Sequence, residues 1–340
     1  MYFYLTFPHL GGWEVKNHGK RNKSIRKKRS LDESLNKKKK KTFNNMRNYN
    51  LNIAGYNIGF EASADGPELK PSARFLRNIN TDNGSDILIR VHSEPFNLPK
   101  GAERVFRAPY VEEINGVQFN NETNFWSVWK NHSELYIWTI FPLSSTEKNA
   151  VLRFSLTSME WDLWIYGSQE ETDPFEYPLD GLILYYLTVI NGDIMIHASG
   201  VNIAGHGYIF SGVSGKGKST IAKLWDDSGA RVIHDDRLIL RNTGGGYRMF
   251  NTPVYNNDEP RESILTRIFI IEHGPENMLV PLKGASAVTQ VMANCIQHNW
   301  GSDIIARLLG SLSIMCGTIP TSKLFFKPDR SVIDLIIENE

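Results

Sequence analysis

The sequence predicts an α/β fold in the second half of the chain and a mainly β domain in the first half. A strand at residues 208–210 runs into a glycine-rich loop, and Ile221, Leu224 and Trp225 follow with the spacing of a helix that buries one face. Short apolar segments separated by turn residues fill residues 51–170, as in a β domain. The length of 340 residues and the 41% hydrophobic content allow one large or two modest domains.

The start of the chain differs from the rest in charge. Residues 1–47 carry 14 Lys and Arg against three acidic residues, while the remainder carries 24 against 34. Because residues 1–45 have little periodic apolar content, they are predicted to be a disordered basic tail. Such a run could bind nucleic acid or an acidic surface, but we favour a solvated tail or an upstream extension ending before Met46. Nucleic acid is therefore not the expected partner.

Residues 46–175 are predicted to form the mainly β N-terminal domain. The segments predicted as strands are Ile87–Val91, Glu134–Ile140, Ala150–Leu156 and Leu163–Tyr166. Five tryptophans fall between residues 126 and 164, and packing in a sheet core is favoured over an aromatic platform for a peptide. The apolar segment Leu179–Ile190 is predicted to be a helix that leads into the second domain, residues 176–340.

A glycine-rich loop in the second domain predicts nucleotide binding. Gly212 to Ser219 has the spacing G-x-x-x-x-G-K-S, whose backbone N–H groups can surround a polyphosphate at the start of a helix. Lys218 would neutralise the β- and γ-phosphates of ATP, and the Ser219 hydroxyl would ligate Mg²⁺. The predicted ATP-binding residues are Gly212, Val213, Ser214, Gly215, Lys216, Gly217, Lys218, Ser219 and Thr220.

The loop as a whole, and Lys216 and Thr220 within it, each have another interpretation. A plain glycine–serine turn between core elements is the alternative, but the apolar strand before the loop and the helical spacing after it disfavour that interpretation. Lys216 is either a second cation for the phosphates or a solvated residue at the loop tip. Thr220 is expected in the first turn of the helix rather than as a ligand.

Two adjacent acids follow the loop. Arg231 to Ile233 is predicted to be a short strand, which would place Asp235 and Asp236 at its carboxyl end, where ligands bind in open α/β sheets. One carboxylate there can hold a metal ion while the other accepts a proton from an attacking hydroxyl. Aspartate is also a common turn residue, so the prediction depends on the spacing of 17 residues from Lys218.

A strand with one histidine precedes the loop. Residues 193–203, DIMIHASGVNI, are predicted to pair with the loop strand as a hairpin across residues 204–207. From the residues alone, His197 is more often a satisfied core residue than a catalyst.

Together these segments resemble the HPr kinase and phosphoenolpyruvate carboxykinase group of P-loop proteins. The resemblance lies in the G-x-S-G-x-G-K-S loop, the His-Ala-Ser-Gly-Val strand before it and the Asp-Asp pair after it. It implies a P-loop kinase domain of that type, with His197, Lys218, Ser219, Asp235 and Asp236 in the active site. It further implies that Asp235 is the base for a substrate hydroxyl, with His197 nearby, and that Asp236 and Ser219 hold Mg²⁺.

Three further segments resemble the shorter HPr-kinase-related proteins, some of which tailor bacterial ribosomal peptides, such as lasso peptides, by phosphorylating a serine. These segments are Ile233–Leu240, Ile270–Asn277 and Phe326–Asp334. The resemblance implies a serine kinase that uses ATP and Mg²⁺ on a peptide or small-protein phosphoacceptor. Residues 257–263 depart from the Glu-Ile-Arg-Gly-type segment of HPr kinases that also run the phosphorylase reaction, which disfavours HPr as substrate and the reverse activity.

Two rival functions are left open. One is a nucleotide-binding switch or ATPase without a phosphoacceptor, which the candidate base Asp235 beside a metal ligand disfavours. The other is a carboxykinase-like enzyme acting on a small organic acid, for which the chain offers little room. Cys295 and Cys316 lack metal-ligand companions, and no run of 18 apolar residues occurs, so a cytoplasmic protein with reduced thiols is expected. The oligomeric state, including a homo-oligomer, is left open.

Overall fold

The computed structural model is a mixed α/β fold with two large mixed β-sheets. It describes residues 47–339 except 64, 82–83, 109–112, 115–116, 119–124, 143–147, 168–170 and 257, so the predicted basic tail lies outside the described residues. The described helices are α1 Leu179–Asn191, α2 Lys218–Asp227, α3 Gly284–Met292, α4 Ser302–Thr318 and α5 Ser331–Glu338. Within the described part of the chain, no helix has the length and apolar character needed to cross a membrane.

The first sheet contains nine strands in the order β3-β1-β2-β4-β11-β10-β9-β8-β5. A separate pair, β6 and β7, forms a two-stranded ribbon. The bounds are β1 Asn48–Ile53, β2 Tyr56–Ala62, β3 Ile79–Asn80, β4 Ile87–His92, β5 Glu103–Arg107, β6 Glu113–Ile114, β7 Val117–Gln118, β8 Trp126–Asn131, β9 Glu134–Ile140, β10 Asn149–Phe154 and β11 Glu160–Tyr166. The four strands predicted from sequence in this region are confirmed as β4, β9, β10 and β11.

The tryptophans of this region serve the sheet core in part. Trp126, Trp161 and Trp164 are buried, whereas Trp129 and Trp138 are half-buried. Alternation along β4, where every second residue is fully buried, places one face of the sheet against the core. This agrees with the preference for core packing over an exposed aromatic platform.

The second sheet contains eight strands in the order β16-β15-β14-β12-β13-β17-β19-β18. Its pairs are antiparallel except β13 with β17 and β17 with β19, which are parallel. The bounds are β12 Ile194–Ile203, β13 His206–Ser211, β14 Arg231–Asn242, β15 Tyr247–Asn251, β16 Glu262–Ile264, β17 Arg267–His273, β18 Met278–Leu282 and β19 Thr321–Phe326.

The predicted hairpin and both predicted helices are confirmed. β12 and β13 pair across a two-residue turn in which Ala204 and Gly205 have φ of 51° and 92°, the conformation that tight hairpins require. The apolar segment at 179–190 is α1, and α2 buries Ile221 and Trp225 against the sheet, where the Trp225 ring packs on Tyr208 and Phe210.

The strand predicted at residues 231–233 is much longer in the structure. β14 extends to Asn242, so Asp235 and Asp236 lie inside a strand rather than at its carboxyl end, and that prediction is wrong. Antiparallel pairing with β12 continues on both sides of the acids, with a β-bulge between Gly200 and Val201 that leaves Ile233 as the extra residue on β14. A bulge bends a strand and redirects its side chains, which is how polar groups are accommodated in the middle of this sheet.

The two sheets share a core around α1. Met195 of β12 and Ile239 of β14 belong to the same buried cluster as α1 and the strands of the first sheet. A polar link supplements this packing: the Tyr56 hydroxyl donates to Asp193 at 2.5 Å, and Arg241 pairs with Asp193 at 2.9 Å. The predicted domain boundary between residues 175 and 176 stays a prediction. The buried core is continuous across it.

Candidate functional site

The glycine-rich loop joins β13 to α2 with two residues in the left-handed region. Gly215 has φ of 82°, and Gly217, which begins the helix, has φ of 91°. A Cβ on Gly217 would lie 2.8 Å from Cζ of Phe326, so this position requires glycine for its conformation and for space. Among the described residues no side chain caps the start of α2. The N–H groups of the first turn are therefore available to an anion.

Lys218 lies in the first turn of α2 with its side chain largely buried. Its Nζ donates to the carbonyl oxygen of Gly212 at 2.7 Å and lies 3.4 Å from that of Val213. Burial lowers the pKa of Lys218, and the charges of Asp235 and Asp236 oppose that effect. The charges of both carboxylates thus reach the loop lysine.

Asp236 is held between two basic side chains. Nδ1 of His197 lies 3.2 Å from Oδ1 of Asp236, and Nε of Arg237 lies 3.6 Å from Oδ2. Burial would raise the pKa of Asp236, but the hydrogen bond from His197 and the charge of Arg237 outweigh it and lower the pKa. Asp236 therefore remains ionised, which suits a metal ligand and makes it a weak proton acceptor.

Asp235 has a different environment. Asp235 is exposed, and its Oδ1 accepts a hydrogen bond from the hydroxyl of Ser199. Ser199 is fully buried on β12. Ser199 and Asp235 are direct partners in the β12–β14 register, so they share a face of the sheet. An exposed carboxylate oriented by one hydroxyl can accept a proton from an incoming group.

His234 fixes the backbone of the acid pair. It is buried, and its Nδ1 accepts hydrogen bonds from the backbone N–H of Asp236 at 2.9 Å and of Arg237 at 3.1 Å. Burial lowers the pKa of His234 to about 4. The neutral ring is therefore the form that holds the strand beside the bulge, and its role is to position the acids.

The end of β17 supports the loop from the other side. Lys216 forms an ion pair with Glu272, and the ring of His273 lies with Nε2 3.1 Å from the carbonyl oxygen of Gly215. The His273 ring also stacks on Phe326 with centroids 5.6 Å apart. Of the two interpretations of Lys216, neither describes this contact, since its charge is directed to Glu272.

The structure brings most of the predicted site residues together. Lys218, Asp235 and Asp236 form one group, and His197 joins it through Asp236 rather than through Asp235. Ser219 and Thr220 are exposed on the first turn of α2, and Val213 and Ser214 are exposed on the loop. Asn257, where the departing segment 257–263 begins, lies outside the described residues.

Three contributors were not singled out from the sequence. Ser199 stands two residues after His197 on a strand, so the period of two could have placed both side chains on one face. Asp180, whose Oδ2 lies 3.9 Å from Nη2 of Arg237, is a charge inside an apolar helix, which is a signal of a buried ion pair. Nothing in the sequence pattern would have indicated His234 as a backbone acceptor.

A tyrosine lies at the edge of the acid pair. Tyr255 is 56% exposed, and partial burial together with the charges of Asp236 and Asp235 raises its pKa.

A separate cavity of about 470 Å³ lies between the end of α2 and the start of β14, away from the loop. Its lining residues are Asp226, Arg231, Val232, Asp258, Glu259 and Arg261.

Comparison with known proteins yields structural likeness but no matching family. No protein-family model and no curated protein sequence matches this chain. The solved structure of the Hpr(Ser) kinase/phosphatase from Coxiella burnetii is similar over 43% of this chain and 94% of its own length, at 10% identity and a TM-score of 0.26. A likeness of that size assigns neither a family nor an activity to this chain.

Proposed function

We propose that this protein is an ATP-dependent serine kinase that acts on a peptide or small protein. The observation that carries the proposal is the contrast between adjacent carboxylates: Asp236 is half-buried between His197 and Arg237, whereas Asp235 is exposed and hydrogen-bonded to Ser199. Both act on the ammonium group of Lys218 in a glycine-rich loop. Phosphoryl transfer requires this combination of a phosphate-binding cation, an anionic metal ligand and an accessible base.

The loop has the groups needed to bind a nucleoside triphosphate. The uncapped start of α2 offers N–H groups, and Lys218 can exchange its donation to Gly212 and Val213 for phosphate oxygens. Asp236 and the exposed Ser219 hydroxyl would hold Mg²⁺, in keeping with the preference of that ion for oxygen ligands. Bound there, Mg²⁺ would neutralise charge on the phosphate oxygens.

In the proposed reaction, Asp235 accepts the proton of the acceptor serine hydroxyl. The serine oxygen forms a bond to the γ-phosphorus, the bond from that phosphorus to the β–γ bridging oxygen breaks, and its electron pair leaves with ADP. Ser199 keeps the Asp235 carboxylate oriented during the transfer. Exposure of Asp235 makes it accessible to a hydroxyl on a macromolecular acceptor, whereas Asp236 is half-buried and engaged by His197 and Arg237.

The direct test incubates the protein with Mg·ATP and serine-containing peptides encoded by genes beside its own. Mass spectrometry of the peptides and an ADP assay are read together, with the Lys218→Ala protein as the control for contaminating kinase. A phosphoserine product that requires Lys218 supports the proposal. ADP formation without any phosphopeptide, across these peptides and a degenerate serine-peptide library, would favour the nucleotide-dependent switch instead.

A further inference from the structure

A chain of charged side chains connects the acid pair to the first sheet. Arg237 follows Asp236 on β14, and its Nη2 atom lies 3.9 Å from Oδ2 of Asp180 in the first turn of α1. The same Asp180 oxygen is 3.0 Å from Nη1 of Arg74, which lies between β2 and β3 of the first sheet. Counting from the site, the order of contact is His197, Asp236, Arg237, Asp180 and Arg74.

These charged side chains are shielded from solvent. The side chain of Asp180 is 4% exposed, and those of Arg237 and Arg74 are 18% and 17% exposed. A buried carboxylate is costly unless it is paired, and here two guanidinium groups compensate one carboxylate on α1. Since shielded charges interact more strongly than exposed ones, the position of Asp180 constrains that of Arg237.

The helix makes room for Arg237. A Cβ on Gly181 would lie 2.7 Å from Nη1 of Arg237, closer than side chains pack, so the guanidinium lies directly over the helix backbone. Gly181 is not in the left-handed region, so the guanidinium alone opposes a side chain at this position. Glycine inside a helix is destabilising relative to alanine, and the close approach of Arg237 accounts for its presence.

We infer that Arg237 is a positioning residue for Asp236, held in place by Asp180 and Gly181 of α1. This inference depends on the proposed function, because it assigns to Asp236 the role of metal ligand. His197 contacts one oxygen of the Asp236 carboxylate and Arg237 lies near the other, so the two fix its orientation. Groups that orient a metal ligand contribute to metal affinity without touching the metal.

A purely structural role for the same contacts makes a different prediction. Asp180 lies in the first turn of α1, where an acid stabilises a helix, and a buried ion pair can serve packing alone. In that case, changes at Arg237 or Gly181 would lower thermal stability and leave metal affinity unchanged. Metal affinity, measured apart from turnover, separates the two roles.

The experiment compares Gly181→Ala with Gly310→Ala in the full chain. Both glycines lie within helices, but a Cβ on Gly310 would meet nothing within 4 Å, so only Gly181→Ala displaces the Arg237 guanidinium. Mn²⁺ is titrated by electron paramagnetic resonance with a non-hydrolysable ATP analogue bound. We expect Gly181→Ala to weaken Mn²⁺ binding by about 10- to 100-fold, as for lost partners of metal ligands, and Gly310→Ala to match the wild type.

Two more variants keep the test informative if Gly181→Ala unfolds. Asp180→Asn keeps the shape of the side chain and removes its charge, while Arg237→Lys keeps the charge and should retain more Mn²⁺ affinity than Arg237→Gln. Unchanged Mn²⁺ affinity in folded variants, beside normal wild-type binding, would overturn the positioning role and leave the proposed function intact. A wild type that binds neither the analogue nor Mn²⁺ would overturn both.

Discussion

The imidazole of His197 pairs with Asp236, not with the adjacent Asp235: Nδ1 of His197 lies 3.2 Å from Oδ1 of Asp236. Asp235 instead accepts a hydrogen bond from Ser199. Asp236 thus has a basic partner, whereas the adjacent Asp235 has a neutral one. Because a basic partner stabilises the ionised carboxylate, the two acids are expected to fail differently when they are replaced.

Replacement of each acid by asparagine tests this expectation. Asp235→Asn removes the proton acceptor and keeps the side-chain shape, so transfer should fall by roughly 10²–10⁴-fold while ATP and Mg²⁺ still bind. Asp236→Asn makes a charged metal ligand neutral, so more Mg²⁺ should be needed for half-maximal rate. The measurement is a pair of Mg²⁺ titrations of phosphoryl transfer. Identical Mg²⁺ dependence and identical residual rate in the two variants would contradict the division of roles.

The loop lysine should be required for nucleotide affinity. Lys218→Ala removes a buried ammonium group beside the loop carbonyls, and we expect ATP binding to weaken by about 10- to 100-fold, the cost of a charge-assisted hydrogen bond. Lys216→Ala is the matched control, because its charge is paired with Glu272, and it should change ATP affinity much less. Calorimetric titration of both proteins checks this. Equal affinities for the two variants would reject the assignment of Lys218.

Alanine substitutions at two loop glycines distinguish the cost of backbone strain from the cost of a steric clash. Gly215 and Gly217 both have positive φ, so alanine at either should cost about 1–2 kcal/mol of unfolding free energy. Only at Gly217 would the new Cβ also approach Phe326, at 2.8 Å, which should add about 1–3 kcal/mol. Urea unfolding of Gly215→Ala and Gly217→Ala gives the comparison. A Gly217→Ala protein no less stable than Gly215→Ala would show that Phe326 yields to the methyl group.

His234 should make the protein sensitive to mild acid. Burial lowers its pKa to about 4 in the folded state, against about 6.5 in an unfolded chain. The unfolded state therefore binds the proton first, so the stability from the neutral ring is present above pH 6.5 and is lost as the pH falls toward 4. His234→Asn offers an uncharged acceptor for the same N–H groups. Other groups, such as buried Asp173 with its pKa raised to about 6, titrate in both proteins.

The difference between wild type and His234→Asn isolates this histidine. Urea unfolding from pH 7.5 to 4.5 should show the stability advantage of the wild type shrinking by about 1 kcal/mol per pH unit below pH 6. A constant difference across that range would mean that the His234 ring does not change its proton affinity on folding.

The basic segment before Met46 should be dispensable for chemistry. It contributes no motif residue and its apolar residues show little periodicity, so a chain that starts at Met46 should keep the melting temperature and ATP turnover of the full chain. Differential scanning calorimetry and an ADP assay compare the two proteins. A large loss of either property in the shortened chain would show that the segment packs on the body or guides the acceptor.

Local patterns in the sequence predicted a good part of the architecture. The hairpin of β12 and β13, the helices α1 and α2 and four strands of the first sheet were predicted because their periodicity and turn residues act over a few neighbours. The loop residues Gly215, Gly217 and Lys218 were found in the same way. The length of β14 was not, because pairing with β12 and β15 on both sides extends a strand through residues that by themselves favour a turn.

The sequence by itself determined which residues are candidates for the chemistry: the loop with Lys218, the histidine strand and the adjacent acids. Only the tertiary structure decided which partner each acid receives, because partners at 36 and 39 residues' separation, Ser199 for Asp235 and His197 for Asp236, depend on register and on the bulge at Gly200. The buried contacts from Arg237 to Asp180 and Arg74 likewise depend on how α1 packs between two sheets. Burial and non-local pairing set the strength of these interactions, and neither is encoded in a local pattern.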